Sequence, residues 1–482
     1  MHSAVVRNQF DRRQVDQGLG LGRDATGRIL HPLTTDTTLA RRVAAAARSG
    51  LCTILLVCSG AAHCEEDGFA TWAVTQNRPL GTVESGGDDS DLLPLESAIG
   101  TARVVALGEP MHGAREPLAF RNRLIRFLVE RMGFTAIALE SGFTESISAR
   151  AFIERGEGDA ETATLTGLGR GLARYPQSRE LIQWMRDYNA SAASAGHRRI
   201  RLYGFDIPNG GRRDGPWLAM DSALTFLARA DPTAANKIRA SLGDSLSGLD
   251  TSQFGPLPAD ARVKFDTSIE AIAKAMQKSR KSLIASSSDE DYRWAVHNLD
   301  AARQLAKCLA ITPPPGAAMS LWVRTMTCRD SAMAENVQWA LKNEGRQGRL
   351  LVFGHDGHVM STKEAGRRVA NMKEKPLLMG LPLRREYGKD LYIIAMVCAT
   401  TSGGLITSKP LEEGSVESTL TGVGLPLMFL DVRMARQNQD ALTWLSTRRS
   451  IGANVSSQGL ITLSTAVDAF VFVNTLTPAV SN

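Results

Sequence analysis

Short apolar runs alternate with amphipathic segments in two parts of the chain. In the first part, three runs predict buried strands at residues 102–109, 134–141 and 199–208. Residues with helical spacing follow these strands and predict helices at 115–131, 143–154 and 178–193. In the second part, the strand pattern returns at residues 348–360, 390–400 and 468–476. Such alternation is typical of an α/β fold, so we predict a mixed, largely parallel central sheet flanked by helices.

The region between these two parts has a different pattern. Residues 216–345 show helical periodicity and contain no strand candidate. We therefore predict a helical insertion that divides the α/β core into residues 101–215 and 346–482. Polar residues rich in glycine and aspartate precede the core, and residues 65–100 are predicted to be a linker ending in a short helix.

The first 64 residues form an N-terminal extension with a predicted signal segment at 41–64. Arg41 and Arg42 precede an apolar run at 51–57, and small residues follow at 59–62, as in a secretory signal. This run is too short to cross a membrane, so no stable membrane insertion is expected. We predict a periplasmic or extracellular protein whose start codon is misplaced; a buried helix in a cytoplasmic protein is the alternative.

Charge and cysteine content exclude several classes of protein. The net charge is +6, but the basic residues are scattered, which argues against a nucleic-acid partner. The six cysteines include no CxxC pair, which argues against a zinc ribbon. Cys308 and Cys328 are candidates for a disulfide in an exported protein. We expect free buried thiols instead, because both lie in predicted helices and Cys398 would remain unpaired.

Acids and histidines follow three of the predicted strands. Glu109 ends the first strand and His112 comes three residues later, Glu140 lies at the end of the second, and His355 and His358 lie towards the end of the strand after the insertion. Because the carboxyl ends of parallel strands share one edge of a sheet, where ligands usually bind, we expect these side chains to converge.

Such a cluster has two chemical interpretations. Histidine titrates near neutral pH and serves as a general base, and a neighbouring glutamate fixes its tautomer. Histidine and glutamate are also good zinc ligands, although HxxH alone is a weak signal and HExxH is absent. The chain lacks a GxSxG nucleophile elbow, a P-loop and a dinucleotide-binding fingerprint.

Each residue also has a purely structural interpretation. Glu109 would then cap the following helix, and His112 would be an ordinary loop histidine. Asp206 would form an Asx turn at the end of its strand, and Arg121 would lie on the solvated face of its helix. The clustering of acids and histidines at strand ends favours a site.

Six blocks in order resemble the erythromycin esterase family over residues 97–479: LGEPMHGARE, MGFTAIALESG, LYGFDIP, CRDSAMAENVQWAL, VFGHDGHV and MGLPLRREYGKDLY. The 28-residue spacing of His112 and Glu140 also fits the family pattern. This resemblance implies an α/β fold with a helical part forming a cleft. It also implies hydrolysis of a macrolide lactone, an antibiotic-inactivating reaction, with no required metal or other cofactor.

The resemblance implies roles for the site residues. His112 matches the general base that activates water, and Glu140 and Arg121 match residues that orient the base and the water or substrate. Glu109 matches the acid of the family's Gly-Glu pair. His355 and His358 match the later site histidines, for which we expect substrate binding or oxyanion stabilisation.

The chain departs from the family pattern in two segments. Pro110 and Met111 stand where family members commonly have a small hydroxyl residue before the histidine. Asp356 replaces the usual asparagine between the later histidines. We expect this extra carboxylate to raise the pKa of a neighbouring histidine, which would weaken it as a base or favour a metal.

Three functions follow, in order of preference. The first is hydrolysis of a small-molecule carboxylic ester, with a macrolide lactone as a candidate, by the catalytic residues His112, Glu140, Arg121 and His355. Glu109, His358 and Asp206 would support them or bind the substrate. The second is a metal-dependent hydrolase or peptidase using the same side chains. The third is an exported, non-catalytic protein that binds a metal, haem or glycan. The sequence leaves the oligomeric state open.

Overall fold

The computed structural model describes residues 68–195, 198–208, 215–242, 259–314, 316–364, 374–452, 454–455 and 459–480. The predicted signal segment at 41–64 lies outside this part of the chain. No helix among the described residues is both long and apolar enough to cross a membrane.

Strands in the described residues form one large sheet and one small one. The large sheet has eight strands in the order β1-β7-β10-β6-β2-β5-β3-β4, and β8 pairs with β9. Their bounds are β1 Arg78–Pro79, β2 Val104–Glu109, β3 Ala136–Gly142, β4 Arg201–Asp206, β5 Leu350–His355, β6 Leu391–Thr401, β7 Leu427–Asp431, β8 Arg448–Ser450, β9 Leu460–Thr462 and β10 Ala469–Leu476. The pairs from β10 through β4 are all parallel, whereas β7 runs antiparallel to both β10 and β1.

Helices surround the large sheet. In chain order they are α1 (residues 68–76), α2 Leu93–Ile99, α3 Arg115–Met132, α4 Ser146–Arg155, α5 Ala160–Gly167, α6 Arg170–Ala173, α7 Pro176–Ala195, α8 Gly215–Leu227, α9 Pro232–Leu242, α10 Ala259–Lys278, α11 Arg280–Ala285, α12 Asp289–Ala310, α13 Met319–Glu344, α14 Asp356–Val359, α15 Gly380–Tyr387, α16 Val416–Thr421, α17 Gln439–Ser446 and α18 Leu463–Ala466. Short 3-10 helices cover Ser90–Leu92, Gly388–Asp390 and Val432–Gln437.

The predicted α/β class with a largely parallel sheet is confirmed. Strand β2 is buried along its whole length, because helices cover both faces of the sheet. Leu118 and Leu124 of α3 belong to the core on one face. Met333 and Val337 of α13 belong to the core on the other. Helices α8 to α13 lie between β4 and β5 in the chain, and most of them share a third core of their own.

The predicted linker at 65–100 contains more structure than expected. Residues 68–76 form a helix, and Phe69 stacks on Trp444 with ring centroids 3.9 Å apart. Strand β1 then pairs with β7 at the edge of the sheet. The linker prediction is wrong here because Phe69 buries its ring against Trp444, far along the chain, which local composition does not reveal.

The prediction of free thiols at Cys308 and Cys328 is also wrong. The two residues form a disulfide, with their Cα atoms 5.5 Å apart. Helices α12 and α13 bring the two cysteines within the range that a disulfide requires. Cys398 is buried in β6 as a free thiol, as expected.

Candidate active site

The predicted site residues lie at the carboxyl edge of the parallel strands. Glu109 ends β2 and is paired in register with His355 at the end of β5. Glu140 lies near the end of β3, and Asp206 ends the adjacent β4. His112 follows β2 by three residues. The strand order β2-β5-β3-β4 therefore collects groups from four segments at one edge.

His112 is held by Glu109 beneath it. Its Nδ1 lies 2.6 Å from Oε1 of Glu109, which is buried, while the His112 side chain is 51% exposed. Gly113 follows with φ +84°, and a Cβ there would lie 2.6 Å from the Tyr175 hydroxyl, so this turn favours glycine. The structural interpretation of Glu109 as a helix cap is wrong, because α3 begins after Ala114 and no side-chain hydrogen bond caps it.

The electrostatic environment of His112 and Glu109 favours the charged form of the His112 imidazole. Burial opposes the charge, but the hydrogen bond and charge of Glu109, with the charge of Glu140, raise the pKa of His112 to about 9. Burial also raises the pKa of Glu109, an effect that the hydrogen bond from His112 opposes. With Nδ1–H donated to Glu109, Nε2 is the atom of His112 free to exchange a proton with a ligand.

Glu140 is the central carboxylate of the site. The register of β3 with β4 shifts between Leu139 and Gly142, and this irregularity places the Glu140 side chain at the edge. Its Oε2 accepts a hydrogen bond from the backbone N–H of His355 at 2.8 Å. A Cβ on Gly354 would lie 3.0 Å from the same oxygen, so glycine gives this carboxylate room.

The charge of Glu140 is strongly stabilised. Its Oε1 lies 4.0 Å from Nε2 of His112, 3.6 Å from Nε2 of His358 and 3.3 Å from Nη2 of Arg329. Burial alone would raise its pKa, but these charges and the His355 N–H lower the pKa of Glu140 to about 2. Glu140 is therefore ionised at physiological pH.

His355 differs from its neighbours because it is neutral. Its Nδ1 accepts a hydrogen bond from the N–H of Gly357 at 3.0 Å, which places the ring proton on Nε2. Burial, followed by the charges of His112 and His358, lowers the pKa of His355 to about 4. Its ring lies 5.2 Å from that of His112 between centroids. His355 is thus a neutral N–H donor beside His112.

His358 repeats the arrangement of His112 with a different acid. Its Nδ1 lies 2.7 Å from Oδ1 of Asp330, which also accepts the N–H of Met379 at 3.0 Å. Burial opposes its charge, but Asp330 and Glu140 raise the pKa of His358. Its side chain is only 17% exposed.

Arg329 and Asp330 complete the site, and the sequence-based prediction did not include them. Arg329 donates from Nη2 and Nε to the Asp206 carboxylate at 2.7 and 3.0 Å, and its Nη1 lies 3.4 Å from Nε2 of His358. Asp206 also accepts a hydrogen bond from the N–H of Ile207. It therefore bonds the local backbone, as its structural interpretation suggested, and also lies in the site. The sequence contained one indication of these two residues. They form an Arg-Asp pair within the CRDSAMAENVQWAL block, which has apolar residues at Met333 and Val337.

Arg121 lies apart from the histidines. It is fully buried in α3, not solvated as its structural interpretation required. Its guanidinium bonds Oδ1 of Asn122 and the carbonyl of Gln177, and lies 5.0 Å from the Phe353 ring centroid. Burial lowers the pKa of Arg121 to about 10, against the charge of Glu109. No hydrogen bond among the described residues joins it to His112.

Asp356 does not have the predicted effect on its neighbouring histidine. Its carboxyl is buried, with one oxygen 1.9 Å from where a Cβ on Gly108 would stand. Burial, then the charges of Glu109 and Glu417, raises the pKa of Asp356 well above its usual range. The pKa of His355 is lowered, and Asp356 is not among the groups that shift it, so the prediction of a raised pKa is wrong there.

Together these groups form a compact proton-transfer site. His112 offers an accessible nitrogen, Glu140 a charged acceptor and His355 a neutral donor. Among the described residues, no group of three or more histidine, cysteine, aspartate or glutamate side chains has a geometry suited to holding a metal ion.

The sequence profile of the erythromycin esterase family matches residues 129–476. The chain belongs to this family. The match covers β3 and all later strands, so the family resemblance is confirmed and the protein is a hydrolase of the erythromycin esterase type.

Relatives and solved structures agree with this membership. Erythromycin esterase type II of Escherichia coli is 25% identical over 395 residues, covering 76% of this chain and 89% of its own length. A crystal structure of a Bacillus cereus protein has a TM-score of 0.71 at 24% identity and covers 86% of this chain and 99% of that one. A variant of the erythromycin esterase EreC in its open conformation has a TM-score of 0.59 at 18% identity. The match covers 81% of this chain and 95% of that one.

Proposed function

We propose that this protein hydrolyses a carboxylic ester by using His112 as a general base on water. The observation that carries the proposal is the geometry of His112. Its Nδ1 is bound to buried Glu109, while its ring is half exposed and its Nε2 lies 4.0 Å from Oε1 of Glu140. A water lying between these two atoms would have one base and one acceptor, as general-base activation requires.

The proposed reaction uses the form of His112 that is unprotonated at Nε2, and begins with proton transfer from water to this atom. The water oxygen attacks the ester carbonyl, while Glu109 accepts from Nδ1–H and stabilises the imidazolium that forms. Glu140 accepts the second proton of the water in a hydrogen bond and so orients the attack. The bond between the acyl carbon and the ester oxygen then breaks, and the imidazolium returns its proton to the leaving alkoxide, which yields a carboxylic acid and an alcohol.

His355 is the proposed donor to the oxyanion. Its Nε2–H is fixed by the bond that Nδ1 accepts from Gly357, and its low pKa keeps the ring neutral. A preorganised neutral donor stabilises developing negative charge without losing its proton at neutral pH. His358 and Arg329 hold Glu140 from the other side and keep it ionised. Arg121 acts in this proposal only through its charge near Glu109.

The proposed substrate is a small-molecule ester, with a macrolide lactone as the first candidate. The erythromycin esterase of Escherichia coli is a 25% identical relative, and its name supplies this candidate. We also propose that the protein is exported. The Cys308–Cys328 disulfide supports export, because disulfides persist in oxidising compartments and are rare in the cytosol.

The test is hydrolysis followed by mass spectrometry. The full-length protein is incubated with erythromycin and with a panel of simple carboxylic esters, with and without a metal chelator. We expect a product heavier by one water from a lactone, unaffected by chelator and absent with His112→Asn. Activity that is lost with chelator and restored by zinc would instead favour a metal-dependent hydrolase. Tight ligand retention with no turnover of any ester would favour a binding protein.

A further inference from the structure

Helix α13 carries two site residues close to its loosely packed start. Arg329 and Asp330 are the eleventh and twelfth residues of α13. Among residues 319–329 only Val323 and Thr325 are buried, whereas nine of residues 330–344 are buried. Packing therefore secures the later part of the helix, and Arg329 stands at the boundary between the two parts.

The disulfide lies next to this boundary. Cys328 directly precedes Arg329 and is bonded to Cys308, which is 1% exposed near the end of α12. Helix α12 is buried along much of its length and belongs to the core of the insertion. The disulfide thus ties the weakly packed first turns of α13 to a well-packed helix, at the residue adjacent to Arg329.

Arg329 connects three groups of the site. It binds Asp206 of β4, lies 3.3 Å from Glu140 of β3 and lies 3.4 Å from His358 after β5. A shift at this position alters all three contacts together. Small displacements of positioning groups are costly, with a misplacement of about 1 Å lowering rates up to about 100-fold.

We propose that the Cys308–Cys328 disulfide is a positioning element of the active site, which holds Arg329 against Glu140, Asp206 and His358. This inference rests on the proposed ester hydrolysis. When a dithiol such as dithiothreitol transfers two electrons and two protons to the disulfide, it becomes oxidised and two thiols form. The first turns of α13 then fray as far as Arg329, because helix ends with few buried side chains open easily.

Kinetics with reductant form the first part of the test. Reduction of the full-length protein is expected to lower kcat by about 10-fold or more, with KM changed less, and reoxidation should restore it. Cys308→Ser with Cys328→Ser should show the same loss and no response to dithiothreitol. Cys398→Ser is the matched control, because this thiol is buried in β6 and forms no disulfide; it should respond to reductant like the natural protein.

A double-mutant comparison tests the link to Arg329. Arg329→Gln should lower kcat clearly in the oxidised protein but much less in the variant lacking both cysteines, because the two changes remove the same contact. Additive losses in kcat would show that the disulfide acts only on overall stability, and would overturn the proposal.

Hydrogen exchange separates this inference from the proposed function. Reduction should speed exchange of the backbone amides at residues 319–330 and leave residues 331–344 unchanged. If no ester is hydrolysed, the proposed function fails, and the exchange result still decides whether the disulfide orders this segment. Unchanged exchange on reduction, or unchanged kcat with a confirmed dithiol, would overturn the inference.

Discussion

Two histidine–carboxylate pairs in this site have the same hydrogen-bond arrangement but differ in the solvent exposure of the histidine. His112 donates from Nδ1 to Glu109 and His358 from Nδ1 to Asp330, at 2.6 and 2.7 Å, and both direct Nε2 towards Glu140. The His112 side chain is 51% exposed, whereas His358 is 17% exposed and has Arg329 beside its Nε2. A paired acid alone therefore does not identify the base. Access of a water to Nε2 distinguishes His112 as the base from His358 as a supporting residue.

The largest expected effect separates the two histidines directly. His112→Asn should lower kcat/KM by about 10²–10⁴-fold, because it removes the proton acceptor, while the asparagine amide can still donate to Glu109. His358→Asn is the matched control and should lower kcat/KM by no more than about 10-fold, since it retains Glu140, His112 and His355. Steady-state kinetics on the same ester measure both, and circular dichroism checks the fold. Equal losses would contradict the distinction.

The second prediction concerns the pH dependence that Glu109 gives to His112. The raised pKa of His112 keeps it protonated below about 9, so its basic form and the rate should increase with pH up to about 9. Glu109→Gln removes the charge that raises this pKa and should move the increase to lower pH. Its plateau rate should be about 10-fold lower, because the base is weaker and its imidazolium less stabilised.

Profiles of kcat/KM between pH 5 and about 10 measure this change. Glu84→Gln is a suitable control, since Glu84 is exposed and pairs with Arg115 outside the site. A Glu109→Gln profile identical to that of the natural protein would show that a group other than His112 sets the pH dependence.

Asp330→Asn tests the other pair and should have a smaller effect. Asparagine can still accept from Nδ1 of His358 and from the Met379 N–H, so the geometry is largely kept. We expect kcat to fall by about three- to tenfold, with the pH at which the rate rises unchanged. A profile shifted as in Glu109→Gln would mean that His358 is the group whose proton is transferred.

The strand-end residues could be predicted because their positions follow from local pattern and sheet geometry. Glu109, Glu140 and His355 end apolar runs, and parallel strands place such ends together. Arg329 lies in the middle of a helix, and its contact with Asp206 spans 123 residues of chain. Helical periodicity shows which residues share a face but not which strand end that face meets.

The disulfide and Arg121 show the same limit of prediction from sequence. Pairing of Cys308 and Cys328 depends on how two helices pack, and their spacing in the sequence carries no such information. Arg121 matches a family site residue by resemblance, yet its guanidinium packs over Phe353 inside the core. Resemblance supplies the residue, while the packing around it determines whether its charge reaches the substrate directly.

The smallest expected effect is on how stability depends on pH, and it concerns Glu140, the carboxylate between the two histidine–carboxylate pairs. The pKa of Glu140 is lowered to about 2 from an ordinary 4.5, so its ionised form stabilises the folded state. The sign follows from proton binding: the unfolded chain takes up this proton first, so the stabilisation is complete above about pH 4.5. It is lost as the pH falls towards about 2, and amounts to on the order of 3 kcal/mol.

Glu140→Gln should therefore differ most from the natural protein near neutral pH and converge with it in acid. Urea unfolding at pH 6, 4.5 and 3 gives the difference in the free energy of unfolding at each pH. This difference already includes the loss of the contacts of Glu140 with His358 and Arg329, because these groups lower its pKa. A difference that stays constant from pH 6 to pH 3 would mean that Glu140 titrates normally. Glu140 would then not be the permanently ionised group on which the different roles of His112 and His358 depend.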